Sequence, residues 1–256
     1  MSFQVTVLGS GTSQGVPMIA CDCDVCQSDD QKDKRLRASI LISHMGRNYC
    51  IDSGPDFRQQ MLVNRVKHLD AILYTHEHKD HTAGMDDVRA FNFKQQCDMP
   101  LFCAERVENA LRMEFSYVFA EEKYPGIPSV LMKRIDNEPF ELPSGLMVQP
   151  IQLMHHQLPV LGFRFGDFAY ITDANFISEV ELIKLKGVKV LIINALRKTP
   201  HISHFSFHEA LIMIEIIQPE RAFLTHISHM MGKHKDILSW CPSHVAPCFD
   251  GMRIDI

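Results

Sequence analysis

The stretch Tyr74-Thr75-His76-Glu77-His78-Lys79-Asp80-His81 constrains this chain more than any other. It places three imidazoles and a carboxylate in the spacing His-x-His-x-Asp-His, directly after the apolar run Ala71-Ile72-Leu73-Tyr74, which reads as a buried strand. Side chains alternate on an extended segment, so His76 and His78 project to one side, and a turn after them swings Asp80 and His81 towards a second point nearby. Such a layout suits two divalent first-row metal ions, which clamp the attacking and leaving oxygens of a hydrolytic displacement when held ~3.5–4 Å apart. The alternative is a solvated loop that happens to be rich in histidine. Metal is the more ordinary reason for a cluster of this density behind a strand.

A chain of 256 residues with 46% apolar content can form one large α/β domain or two small ones. The net charge of -5 gives no general attraction for polyanions, and the sequence has no basic run to hold a nucleic acid. No stretch approaches the ~20 consecutive apolar residues of a membrane span, and Met1-Ser2-Phe3-Gln4 does not open a signal peptide. A cytoplasmic location is expected, with the eight cysteines as reduced thiols or metal thiolates rather than disulfides.

Along the chain, Phe3, Val5 and Val7 alternate with polar residues before Gly9-Ser10-Gly11-Thr12-Ser13-Gln14-Gly15. The glycine spacing fits neither a P-loop nor a dinucleotide fingerprint, so a tight turn that lets backbone approach a site closely is expected. Cys21, Cys23 and Cys26 follow within six residues. Three thiolates with one imidazole from elsewhere would make a closed tetrahedral zinc site. Ala38–Ser43 and Asn48–Ile51 read as a hairpin, after which Asp52 is either an acceptor orienting a metal-bound histidine or a turn former. Helices are expected over 58–66, 84–93 and much of 105–124, with Arg89 facing either a substrate anion or an acidic neighbour on its own helix.

The second half repeats the pattern of a strand followed by a polar residue. Met147–Leu153 leads to His155-His156, Phe168–Thr172 to Asp173, and Arg221–Thr225 to His226-Ile227-Ser228-His229. A lone carboxylate at Asp173, at the end of an apolar strand, would be costly unless it bridged metal ions. Ser206-x-x-Glu209 is a capping box that opens a helix. Strands and helices alternate with ligands at strand ends in both halves, which argues for one layered α/β domain over residues 1–256, with a small zinc knot at about 17–30.

The order of His76, His78, Asp80, His81, a later histidine, Asp173 and His226 resembles the metallo-β-lactamase superfamily. Gly9-Ser10-Gly11-Thr12, the Cys21/Cys23/Cys26 knot, Leu224-Thr225-His226-Ile227-Ser228-His229 and Phe249-Asp250-Gly251-Met252 most resemble its branch around the phosphodiesterase of the carbon-phosphorus lyase pathway. The resemblance implies an αββα sandwich of two mixed sheets flanked by helices. It implies a first metal on His76, His78 and His155, with His156 as the other choice, and a second on Asp80, His81 and His226, bridged by Asp173. It also implies that His229 completes the zinc knot, and that Asp80 and His204 act in catalysis, His204 as a general acid or phosphate donor.

The function expected from this resemblance is hydrolysis of a small or cyclic phosphodiester by a binuclear centre of Zn, Mn, Fe or Ni, beside one structural Zn. An ester, thioester or lactone hydrolase would use the same centre, as would an RNA-processing nuclease, although the acidic balance and absence of a basic arm argue against nucleic acid. A metal-binding scaffold protein is the reading without catalysis. The expected partners are a small phosphodiester and at most a second copy of the chain, with no membrane. Residues 97–143 and 194–203 match the family poorly and leave the substrate open.

Overall fold

The computed structural model of the protein describes residues 2–122 and 124–256. Met1, at the expected non-signal N-terminus, and Lys123, in the expected helical stretch, lie outside them. The strands are β1 (Gln4–Gly9), β2 (Ser39–His44), β3 (Arg47–Ile51), β4 (Ala71–Leu73), β5 (Met99–Cys103), β6 (Val130–Arg134), β7 (Phe140–Glu141), β8 (Met147–His155), β9 (Leu158–Phe165), β10 (Phe168–Ile171), β11 (Phe176–Ile177), β12 (Val190–Asn194), β13 (Arg221–Thr225), β14 (Val245–Pro247) and β15 (Arg253–Asp255). The α-helices are α1 (Phe57–Val63), α2 (Lys79–Thr82), α3 (Arg89–Gln95), α4 (Glu105–Glu114), α5 (Ser116–Phe119), α6 (Glu179–Lys184), α7 (Phe207–Ile217) and α8 (His234–Trp240).

Two mixed sheets result, one ordered β15-β1-β2-β3-β4-β5-β6 and the other β11-β8-β9-β10-β12-β13-β14, with β7 paired to β8. Strand periodicity explains how they stack. In β12, Val190 and Ile192 enter the core between the sheets, where they meet Val5, Val7, Ile40 and Ile42 of the first sheet, while Leu191 and Ile193 face the helices on the other side. Strands buried on both faces read as continuous apolar runs. A third cluster, with Phe57, Phe91 and Leu111, packs α1, α3 and α4 against the outer face of the first sheet. The layers are therefore helix, sheet, sheet, helix, as the resemblance implies.

Two expected helices differ in detail. The segment after Gly84 opens as a 3-10 turn, Met85–Val88, before α3 begins. The stretch after Glu105 breaks at Phe115, whose backbone leaves the helical region, although Val107, Leu111, Phe115 and Val118 all stay buried. Burial keeps its periodicity through a break that the sequence pattern does not register. Arg89 pairs with Asp86 at 3.0 Å, one turn away on its own helical segment.

Candidate metal centre

Strand ends deliver the site. The residues after β4 carry His76 to His81, the end of β8 carries His155, the residues after β10 carry Asp173, and the residue after β13 is His226. Asp52, Asp173 and His226 all hold positive φ, at 65°, 54° and 55°. Left-handed backbone is uncommon outside glycine, and Asp and His tolerate it better than bulky or β-branched residues do. Here it accompanies side chains that leave their strand direction, Asp173 and His226 to meet each other and Asp52 to reach His81 and Thr75 from behind. The approach is close: a Cβ on Gly54 would lie 2.0 Å from the Asp80 carbonyl oxygen, so only glycine allows the loop after β3 to sit against that turn.

Ligand atoms of His76, His78 and His155 lie within 4.8 Å of one another, and so do those of Asp80, His81, Asp173 and His226. Asp173 is the hub. Its Oδ2 lies 3.8 Å from His76 Nε2 and 3.3 Å from His81 Nε2, and its Oδ1 lies 2.9 Å from His226 Nδ1. Asp80 Oδ2 lies 3.2 Å from His81 Nε2. His76, His81 and His226 are wholly buried, whereas His78 stands at the solvent-facing mouth.

Each buried ring is held by one nitrogen. Thr75 Oγ1 donates to Asp52 Oδ2 at 2.9 Å and so accepts from His76 Nδ1 at 3.0 Å, leaving His76 Nε2 with its lone pair inwards. Asp52 Oδ2 accepts from His81 Nδ1 at 2.7 Å, the Ser203 carbonyl accepts from His155 Nδ1 at 2.7 Å, and Thr12 Oγ1 lies 3.3 Å from His226 Nε2. The opposite nitrogens of His76, His81 and His226 are buried without a hydrogen-bond partner. Buried polar atoms without partners are costly. Three of them converging on a carboxylate, each ring fixed from behind, fit divalent metal ions in donor type and in orientation.

Electrostatics follow from the same crowding. Burial, with His81 beside it, pushes the His76 imidazole well below its usual range, and burial takes His155 down to about 4. Burial alone would lower His81 too, but Asp173, Asp80 and Asp52 outweigh it and hold its pKa well above normal. Asp173 is depressed despite burial because His226 and His81 face it. The cluster is thus built around stored negative charge.

His204 joins from the loop before α7. Its Nε2 is buried without a hydrogen-bond partner 3.4 Å from Asp173 Oδ2, while its Nδ1 lies 3.0 Å from Ser203 Oγ and 3.2 Å from His201 Nδ1. Its ring stacks on His226 at 4.8 Å. Of the two adjacent candidates His155 reaches the cluster, whereas His156 is exposed in the turn after β8. Asp52 serves both readings given it by the sequence, as acceptor for His81 and as a turn residue at positive φ.

Thr75, Thr12 and the Ser203 carbonyl carried no signal of their own in the sequence. For Thr12 the glycine loop was the clue: Thr12 N donates to Ile227 O, and Ile227 N to Ser10 O, which lashes that loop beside His226. Distinct from these residues, Cys21, Cys23, Cys26 and His229 form a further group of ligand atoms within 4.8 Å of one another. Cys21 and Cys23 Sγ each lie 3.3 Å from His229 Nδ1. The backbone at Cys26 and the His229 ring lower the Cys23 thiol to about 6, and all eight cysteines are free of disulfides.

Residues 47–227 match the model of the β-lactamase superfamily domain. The chain is 37% identical to a diphosphatase of the PhnP family whose crystal structure is known, with a TM-score of 0.94 over 100% of this chain and 98% of that one. Zn(2+)-bound PqqB from Methylobacterium extorquens shares the fold at 20% identity and a TM-score of 0.80, covering 99% of this chain and 100% of that one. An octanoyltransferase of Porphyromonas gingivalis (strain ATCC BAA-308 / W83) is 38% identical over 96% of this chain, which spans 50% of that longer protein. No helix among the described residues is long and apolar enough to cross a membrane. With its two-sheet sandwich, its His and Asp cluster at the strand ends and these matches, the chain belongs to the metallo-β-lactamase superfamily of hydrolases.

Proposed function

We propose that the protein is a binuclear metal-dependent phosphodiesterase acting on a small or cyclic phosphodiester. The observation that carries this reading is the set of buried imidazole nitrogens, unpartnered and aimed at Asp173, each on a ring anchored from behind. His76, His78 and His155 would hold one divalent ion and Asp80, His81 and His226 the other, with Asp173 between them. Bound there, Zn, Mn, Fe or Ni would bring a water towards ionisation near neutral pH and offset phosphate charge. Cys21, Cys23, Cys26 and His229 would hold a structural Zn, as a small knot within a single hydrolase domain.

The chain's own residues supply orientation and a proton. Asp52, Thr75, Thr12 and the Ser203 carbonyl fix the rings. Ser203 Oγ lies 3.0 Å from His204 Nδ1 and would accept its N–H in the imidazolium, whose second proton sits on Nε2, the atom facing the centre. Burial lowers the pKa of the His204 ring and so makes its imidazolium a readier donor. In this role His204 protonates the departing oxygen. The similarity to a PhnP-family diphosphatase supports chemistry at phosphorus and makes a phosphoanhydride the nearest alternative substrate.

The test is turnover of bis(p-nitrophenyl) phosphate and of an alkyl phosphodiester by protein stripped with chelator and reloaded with Mn or Zn. Hydrolysis that depends on reloading is expected; its absence with every metal overturns the reading. A second reading is hydrolysis of an acyl thioester at the same centre, which the likeness to half of a longer octanoyltransferase makes worth testing. Release of thiol from an octanoyl thioester, faster than phosphodiester turnover, would establish that reading instead.

A further inference from the structure

Strands β4, β5 and β6 run parallel, so their carboxyl ends lie in a row. The first is followed by Thr75–His78, the second by Ala104–Arg106 and the third by Ile135–Asn137. Ligands of α/β sheets bind outside such ends. Opposite the row, residues 159–161 of β9 close a pocket of about 440 Å³. Val107, Ile135, Val160 and Leu161 give it an apolar wall. Arg106 lines both this pocket and the cleft of about 520 Å³ that holds His78 and His155, so the two spaces meet at that side chain.

The charges of the lining decide what can enter. Three carboxylates, Glu77, Glu105 and Asp136, face one guanidinium, Arg106. Arg106 is already engaged, since its Nε donates to Glu77. Glu105 pairs with Arg134, and Asp136 accepts from the Glu138 backbone. An entering anion would therefore find a single guanidinium, already shared with Glu77, against three carboxylates and so a net negative rim, whereas an apolar group would find a wall of aliphatic carbon.

We infer that this pocket is the subsite for the non-reacting substituent of the substrate, and that it selects an apolar, uncharged group and has room for a phenyl ring or larger. The inference rests on the hydrolase reading of the neighbouring centre. It names the chemistry of the group attached to the reacting phosphorus.

Three phosphonates test it on the metal-loaded protein by calorimetric titration: methylphosphonate, phenylphosphonate and 4-carboxyphenylphosphonate. Phenyl is expected to bind about 10–50-fold more tightly than methyl, the scale of burying one ring, and the added carboxylate to remove most of that gain. Ala104→Phe and Pro159→Trp, which fill the pocket from two sides, should abolish the phenyl gain while methylphosphonate still binds. Equal binding of phenyl and methyl overturns the subsite, as do a gain that survives both fillings and a carboxyphenyl compound that binds as tightly as phenyl. Turnover of bis(p-nitrophenyl) phosphate on the same preparation separates the two claims. Activity without a phenyl gain overturns the pocket and leaves the centre standing. A phenyl gain without activity on any ester does the reverse.

Discussion

The Asp52 carboxylate accepts the Nδ1 proton of His81 at 2.7 Å, with both side chains wholly excluded from solvent. The same carboxylate takes the Thr75 backbone N–H and hydroxyl, both at 2.9 Å, and Thr75 in turn holds His76. One acid thus orients a ring in each of the two ligand groups. Asp52→Asn keeps the shape and removes the charge. Metal affinity, measured by competition with a chelator, should fall about 10–100-fold, as for other lost partners of metal-binding histidines. Unchanged affinity would reduce Asp52 to a turn residue.

Replacing Cys23 by Ser should act on the fold and spare the chemistry, because its thiol belongs to a ligand group that shares no residue with the candidate centre. The melting temperature should drop by about 5 °C or more, given ~2–4 °C per kcal/mol in a chain of this size. Turnover per folded molecule should change far less, and elemental analysis should show one zinc fewer. Melts that coincide with wild type would remove the knot.

For His204→Ala the informative comparison is between leaving groups. Loss of a general acid should slow alkyl phosphodiesters by about 10²–10⁴-fold and p-nitrophenyl esters much less, since p-nitrophenolate leaves without a proton. Because the ring stacks on His226, metal content must be measured on the same sample. Equal losses on both substrates would make His204 a phosphate-binding residue, and no loss would return it to packing alone.

Stability towards acid should carry a signature of His234. Burial, with Arg35 and Lys32 nearby, pulls its imidazole from 6.5 down to about 4, and Arg35 Nη2 lies 3.5 Å from its Nδ1. The folded pKa is depressed, so the stabilisation from the neutral ring is complete above pH ~6.5 and is lost as pH falls through ~4. The contribution is on the order of 2–3 kcal/mol. Urea unfolding of His234→Gln between pH 7 and 4 should show a shallower fall in stability than wild type, and parallel curves would contradict the assignment.

The centre was legible in the sequence to the extent that its atoms are neighbours along the chain or follow recognisable strands. His76, His78, Asp80 and His81 announce themselves by spacing, and Asp173 by an acid at the end of an apolar run. What orients them does not. Thr75 is one hydroxyl among many until its contacts with Asp52 and His76 are seen, the acceptor for His155 is a backbone carbonyl, and Thr12 meets His226 only because Gly11 bridges to Ile227 across the molecule. The break at Phe115 stayed hidden for a different reason: burial recurs with the same period on both sides of it.

The first sheet supplies His76, His78, Asp80 and His81, and the second supplies His155, Asp173 and His226, so each ligand group draws on both sheets. An ion bound to either group would rivet the two layers at their shared edge. Separating them would then require breaking coordination bonds first, which makes escape from the native state a question of metal dissociation as well as of core exposure. Proteolysis of the loaded protein should accordingly slow as free metal rises, even at concentrations where activity has already saturated.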